Sequence, residues 1–305
     1  MFDVSIIYVN YFTIELLKES LNSFFKYAKG FSFEIIVVDN SCSCEEKNNL
    51  NSFCQSIGAR LLVMNRNAGF GSANNEAARI SNAKFLYFIN TDTIFVSNAC
   101  YELFRFLVLH PRCGIAGSNL LTKDMKPNFS FCVAEKNLEN EKKEDCFFFK
   151  KPIEFNDTYS AFKVNGFVSG ASFMISKNSF DAVGGFCNRI FLYADEAYLC
   201  YRVINSLGKD IYNVPSSRLI HLDGGSFDES SEKRILFSCD GNYEYYCSIF
   251  GEQQGLNYLI YKQKVFARNM IISLLTLNFK KYKKFKLFFK IYKNKSKIVR
   301  KHKDD

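Results

Sequence analysis

Phe85-Leu86-Tyr87-Phe88-Ile89-Asn90-Thr91-Asp92 is a short apolar run that ends abruptly in an amide, a hydroxyl and a carboxylate. Such a run, bounded by polar turn residues, reads as a strand buried on both faces, the kind found in parallel sheets. Similar runs precede it at Val4-Ser5-Ile6-Ile7-Tyr8-Val9, at Phe33-Glu34-Ile35-Ile36-Val37-Val38 and at residues 60–64. Leu16, Leu17, Leu21, Phe24 and Phe25 give residues 14–27 the period of a helix, and a second helix is predicted over 74–80. Strands alternating with helices predict an α/β fold, with a mostly parallel central sheet and flanking helices. Ligands on such sheets sit at the carboxyl ends of the strands. The four runs end in Asn10-Tyr11, Asp39-Asn40-Ser41, Asn65-Arg66-Asn67 and Asn90-Thr91-Asp92, so one polar crevice is predicted there.

Farther along, residues 123–162 read as a charged, irregular insertion or cap, most polar over 135–144. Order returns at Val164-Asn165-Gly166-Phe167-Val168. Helices are predicted over 177–183 and 194–207, on either side of Gly184-Gly185-Phe186. A last strand over 211–214 leads through Ser216 and Arg218 to His221.

The 305 residues suit one large domain with an appendage. The net charge of +9 is not evenly spread: residues 280–305 hold twelve Lys and Arg against two Asp, so the other 279 residues sum to about −1. The basicity belongs to a tail, whereas a nucleic-acid binder is expected to carry it on a folded face, so no nucleic-acid partner is expected. The eleven cysteines include no C-x-x-C pair and read as thiols acting as small hydrophobes, which points to the cytoplasm. Met1-Phe2-Asp3-Val4 leads directly into a strand without a hydrophobic signal core, which gives the same expectation. The longest apolar stretch, residues 270–277, is shorter than the roughly 18 residues that span a bilayer.

Five features could carry chemistry. Asp92, just past a buried strand, can hold a hard divalent cation against a diphosphate; Asn90-Thr91-Asp92 equally suits a turn or cap. Asp39 can accept hydrogen bonds from a base or a ribose, or cap the next helix. The segment from Asn67 to Asn75 places small residues and amides before a helix, whose N-terminus favours anions. Asp195-Glu196 opens a helix behind the apolar Ile190-Phe191-Leu192-Tyr193, and one of the two carboxylates can act as a general base. A helix N-terminus would hold its pKa down and burial would raise it. His221, one of three histidines, can ligate a metal, bond a phosphate or serve the structure alone.

Taken in order over residues 3–230, these segments resemble family-2 glycosyltransferases of the GT-A fold, in particular the bacterial rhamnosyltransferase-like and galactofuranosyltransferase-like members. The resemblance rests on Ser5-Ile6-Ile7-Tyr8-Val9-Asn10-Tyr11, Ile35-Ile36-Val37-Val38-Asp39-Asn40-Ser41 and Asn67-Ala68-Gly69-Phe70. It continues through Asn90-Thr91-Asp92 as a form of the DxD motif, Val168-Ser169-Gly170-Ala171, Val183-Gly184-Gly185-Phe186 and Phe191-Leu192-Tyr193-Ala194-Asp195-Glu196. His221 with Gly224-Gly225-Ser226 closes the series.

The resemblance implies a nucleotide-diphospho-sugar donor bound by Val9, Asn10, Tyr11, Asp39, Asn67, Gly69, Phe70, Asn75, Asn90, Thr91 and Gly170. It implies Asp92 and His221 as ligands of Mg2+ or Mn2+. The acidic pair here is Asp195-Glu196 where relatives usually carry Glu-Asp or Asp-Asp; its second member, Glu196, is expected to be the base, with Asp195 the alternative. The expected domain is 1–230, with a nucleotide-binding half over 1–122 and an acceptor half over 163–230. An inverting transfer to a glycan or lipid-linked acceptor in bacterial surface polysaccharide synthesis is the implied activity.

Residues 231–305 are expected to be helical. Their basic tail, with Phe285, Leu287, Phe288, Phe289, Ile291 and Tyr292 among its lysines, is expected to lie on an anionic membrane surface, on the inner face of the cell membrane. Two other functions fit less of the pattern. A nucleotidyltransferase needs a basic, Gly-rich phosphate loop after the first strand, which Asn10-Tyr11-Phe12-Thr13 does not supply. A non-catalytic relative that binds a sugar nucleotide or a partner enzyme is the other, and the intact set of Asp39, Asp92, Glu196 and His221 argues against it.

Overall fold

The computed structural model describes residues 1–135, 148–149, 155–156, 158–222 and 231–304. Gly224-Gly225-Ser226 and most of the polar stretch 135–144 lie outside these residues. The chain divides into two units, Met1–Cys187 with Glu196–Ser226, and Asn188–Asp195 with Phe227–Asp305.

The first unit opens with β1 (Phe2–Asn10), α1 (Ile14–Tyr27), β2 (Phe33–Asp39), α2 (Cys44–Ile57), β3 (Arg60–Val63), α3 (Phe70–Ile80) and β4 (Ala83–Ile89). It continues through β5 (Thr93–Phe95), α4 (Ala99–Leu109), β6 (Cys113–Leu121), β7 (Phe131–Glu135), β8 (Phe148–Phe149), β9 (Phe162–Lys163) and β10 (Gly166–Val168). It ends in β11 (Ser172–Ser176), α5 (Lys177–Ala182), α6 (Asp195–Leu207) and β12 (Asp210–His221).

The main sheet runs β3-β2-β1-β4-β11-β6-β12-β5, with β9 paired to β12; β10, β7 and β8 form a second sheet. The first four strands are parallel, as the apolar runs predict, and β6 and β12 are parallel to each other. β11 is antiparallel to both its neighbours, and β5 to β12.

Alternation along the strands feeds two cores, one on each face. Val4, Ile6, Tyr8, Ile35, Val37 and Tyr87 pack with α1, α2 and α4. Ile7, Ile36, Val38, Leu86 and Phe88 pack with α3, α5 and α6. The chain goes from β1 outward to β3 and returns to β4 on the other side of β1. That reversal is the switch point at which such sheets open a crevice. The registers Asn10↔Asp39 and Tyr8↔Ile89 put the ends of β2, β1 and β4 side by side.

The reading of the sequence names no element for α2, α4, β5 or β11, and three further differences have a local physical reason. α3 begins at Phe70, four residues before the predicted start, because Gly69 at φ +81 turns the chain into the helix there. The last strand runs on to His221 through an irregularity between Val214 and Arg218. β6, which the sequence reading passed over, is buried along its whole length in the middle of the sheet. Its sequence Cys-Gly-Ile-Ala-Gly-Ser-Asn-Leu-Leu has few of the residues favoured in strands. Small residues sit there because neighbours come close: a Cβ on Gly117 would lie 2.5 Å from Val168 Cβ, and one on Gly114 would run into Val203.

The second unit holds α7 (Glu232–Phe250), α8 (Glu252–Leu275) and α9 (Phe279–Asp304). α8 and α9 form an antiparallel hairpin in which Phe266 packs on Phe285, Phe288 and Tyr292. Gln263 donates to Ser296 Oγ at 3.0 Å. The segment 188–195 is bound to α7 and α8 by Arg189, which donates to Glu244 at 2.8 Å and to Glu252 at 2.9 Å.

Candidate active site

Asp39 ends β2 with its side chain fully buried. Its Oδ1 accepts from the Ser41 N–H at 3.0 Å and from Ser41 Oγ at 2.6 Å. Its Oδ2 is buried and has no hydrogen-bond partner among the described residues. A buried carboxylate oxygen without a donor is costly, so this atom is suited to a ligand that brings one.

Asn10, at the end of β1, is also fully buried, and its amide is engaged within the protein. Nδ2 donates to Glu46 at 2.7 Å, and Oδ1 accepts from Thr13 Oγ1 at 3.1 Å. Thr13 Oγ1 in turn lies 2.9 Å from Thr91 Oγ1, which ties the ends of β1 and β4 together. Glu46 was not among the residues singled out from sequence. Ser43-Cys44-Glu45-Glu46 has the spacing of a capping box, and Ser43 Oγ does accept the Glu46 N–H at 3.3 Å. The Glu46 carboxylate reaches Asn10 as well. Val9 is half-buried, while Tyr11 is exposed and meets Phe12 edge-on at 5.0 Å.

Asn40 orders the loop before α3. It donates to Asn67 Oδ1 at 2.9 Å and accepts the Ala68 N–H at 2.9 Å, while Asn67 Oδ1 also takes the Gly69 N–H at 3.1 Å. Asn75 anchors the same helix from the other side: it donates to Phe186 O and accepts from Phe186 N, each at 2.9 Å. Phe70 meets the Phe186 ring edge-on at 6.0 Å. The Gly184-Gly185-Phe186 turn, with both glycines at positive φ, is thereby fastened to α3.

Asp92 and His221 are far apart in sequence and are brought together by pairing of β5 with β12, in which Thr93 lies opposite His221. Asp92 Oδ1 lies 3.3 Å from His221 Nε2, and both side chains are largely buried. The Leu222 N–H donates to Asp92 O at 3.0 Å and Asn128 donates to His221 O at 3.3 Å, so the backbones are fixed as well. Asn90 donates its backbone N–H to Ala171 O at 3.0 Å, and the Asn90 carbonyl accepts from Thr93 Oγ1 at 2.8 Å.

The acidic pair opens α6. Tyr193 and Ala194, just before it, are both left-handed, at φ +66 and +68. Asp195 is only 1% exposed. Glu196 keeps some surface in contact with solvent, yet its carboxyl group is enclosed by protein. Burial pushes its pKa up from 4.5 to about 7, with its own backbone N–H acting the other way. Burial therefore outweighs the helix N-terminus. A Cβ on Gly170 would stand 3.4 Å from Glu196 Oε2, so the missing side chain at 170 leaves room beside that oxygen.

Comparison with known proteins gives a family and a fold. The family model described as "Glycosyl transferase family 2" matches residues 5–184. Among solved structures, the mannosyltransferase PcManGT from Pyrobaculum calidifontis, in complex with GDP-Man and Mn2+, superposes with a TM-score of 0.60 at 10% identity, over 97% of this chain and 87% of that one. GalNAc-T7 with UDP, GalNAc and Mn2+ superposes with a TM-score of 0.59 at 12% identity, over 81% of this chain; the chain spans 50% of that structure's length. No curated protein matches the chain in sequence.

Proposed function

The chain belongs to glycosyl transferase family 2, and on that premise we propose that it transfers a sugar, with inversion, from a nucleotide diphosphate donor to an acceptor hydroxyl. The observation that carries the reading is the Asp92–His221 pair, held 3.3 Å apart where β5 pairs with β12, with Asp92 in the turn after β4.

The pair fits a divalent cation. Two ligands about 2.1 Å from one octahedral ion lie ~3 Å apart when they are neighbours. Among the described residues no cluster of three His, Cys, Asp or Glu forms a cage. The remaining positions of an ion held by the pair would be taken by phosphate oxygens and water. Mg2+ or Mn2+ bound there supplies positive charge against the diphosphate.

The chain's own groups do the rest. Asp39 Oδ2 accepts a hydrogen bond from the ribose or base. The loop ordered by Asn40 and Asn67, with Gly69 and Phe70, lines the donor. Glu196, with its pKa near neutrality, takes the proton of the acceptor hydroxyl in the space beside Gly170, and the oxygen attacks the anomeric carbon as the diphosphate leaves. One displacement inverts the anomeric centre. The donor sugar is of the rhamnose, galactose or related hexose type. The acceptor is a glycan or lipid-linked saccharide in bacterial surface polysaccharide synthesis, met at the cytoplasmic face of the membrane.

Transfer assays with Glu196→Gln and Asp195→Asn test the assignment. Glu196→Gln is expected to lower kcat by about 10²–10⁴. Near-normal turnover by Glu196→Gln, with loss in Asp195→Asn, would move the base to Asp195. A product that keeps the donor's anomeric configuration would exclude single displacement.

A further inference from the structure

The C-terminal helices carry an apolar surface in a place the sequence does not suggest. α9 is amphipathic, but its apolar face is occupied: Ile291 and Tyr292 are buried, and Phe285 and Phe288 pack on Phe266 of α8. Among the described residues of these helices, the largest group of exposed apolar side chains is instead at the tip where α8 turns into α9. Ile271, Ile272, Leu274, Leu275, Leu277 and Phe279 are all exposed there, Leu275 by 79% and Leu277 by 74%. From residue 253 to 303 the chain has fifteen Lys and Arg and no Asp or Glu. Lys280, Lys281, Lys283 and Lys284 follow the tip directly, all exposed.

The tip is also ordered at a cost to itself. The Asn278 N–H donates to Ser273 O at 2.8 Å and the Leu277 N–H to Leu274 O at 3.0 Å, and Asn278 Oδ1 caps α9 by accepting the Lys281 N–H at 3.0 Å. This is the helix ending that normally places glycine at the left-handed position. Here that position is Leu277, at φ +52. A leucine is disfavoured there, and its exposed side chain gives the fold nothing in return.

We propose that this tip is a membrane-docking element: its leucines and isoleucines enter the acyl boundary of an anionic bilayer while the lysines beside them bind the lipid headgroups. Other occupants fit less well. Five of the six exposed side chains are aliphatic, and only Phe279 offers a stacking face to a nucleic acid. Two copies meeting through this surface would bring two acid-free basic segments together. The proposal rests on the membrane location given above for the transferase, and it moves the contact from the face of α9 to the turn before it.

Flotation of the full chain with vesicles tests it. The wild type is expected to float with phosphatidylcholine–phosphatidylglycerol vesicles, not with phosphatidylcholine alone, and to be released by salt. The double variant Leu275→Ser, Leu277→Gly is expected to bind about tenfold more weakly or worse, with an unchanged or higher melting temperature because glycine relieves the turn. Lys280→Glu with Lys281→Glu should weaken binding as well.

Equal flotation of the double variant and the wild type would overturn the proposal. So would a wild-type dimer that the double variant makes monomeric while vesicle binding stays the same, or RNA binding without vesicle binding. UDP and GDP binding, measured on the same proteins, separates the two readings. Flotation lost in the variant with nucleotide binding kept supports the docking tip. Flotation kept in a wild type that binds no nucleotide supports the tip and counts against the transferase alone.

Discussion

Glu196 shows most directly how a side chain's setting decides its chemistry. Its sequence position offers two opposed influences, the helix N-terminus and burial, and nothing in the residue types ranks them. In the structure burial wins and raises the pKa to about 7. A carboxyl group raised in this way costs stability as pH climbs. Below pH 4.5 it is protonated whether the chain is folded or not. Between 4.5 and about 7 only the unfolded chain ionises it, so the cost builds up. Above about 7 the cost is complete, on the order of 3 kcal/mol. Glu196→Gln is therefore expected to raise the melting temperature at pH 8 and leave it unchanged at pH 4, while transfer is lost. For the wild type, kcat/KM should rise about tenfold per pH unit below about 7 and level off above it, as a general base requires. A flat profile from pH 5 to 8 would remove Glu196 from that role. Gly170→Ala should leave the fold intact and slow transfer with a raised acceptor KM, because the added methyl occupies the space beside Oε2. The polar strand ends at Asn10, Asp39 and Asp92 were legible in the sequence. The internal commitment of Asn10 and Asn75 was not, because their partners Glu46 and Phe186 lie 36 and 111 residues away.

At the scale of elements, β1 to β4 could be read because strands buried on both faces in a parallel sheet are continuous apolar runs. β6 could not, although it is central. Its glycines answer to Val168 and Val203, which approach from other parts of the chain, and no local pattern announces that. Gly117→Ala should accordingly destabilise the fold by about 1–3 kcal/mol, measured by urea unfolding, since the new methyl overlaps Val168. If it were neutral, the close approach of β10 to β6 would be contradicted. The same limit applied to α9. Its amphipathic pattern is plain in the sequence, but the occupant of its apolar face, Phe266 of α8, is not. The surface left uncovered at Leu275 and Leu277 follows only from that packing. The apolar run Ile190-Phe191-Leu192-Tyr193 is plain in the sequence, and the structure adds that Arg189 just before it pairs with Glu244 and Glu252.

Over the whole molecule, charge and chemistry are segregated. The sheet unit is nearly neutral in sequence and holds Asp39, Asp92, Glu196 and His221, while the helical unit carries the net positive charge. Cys54, Cys100, Cys113 and Cys200 are buried, with thiols pushed up by burial, and they act as the small hydrophobes expected of them. Binding of a sugar nucleotide by the sheet unit, through its diphosphate at Asp92 and His221, is the proposal on which the mechanism depends. The most direct measurement is calorimetric binding of UDP and GDP, with and without Mn2+, to the wild type and to Asp92→Ala. The account predicts that the wild type binds one of the two nucleotides at least about tenfold more tightly when Mn2+ is present, and that Asp92→Ala loses this gain while staying folded. Equal binding by both proteins with and without Mn2+, or no binding by folded wild type, would contradict it.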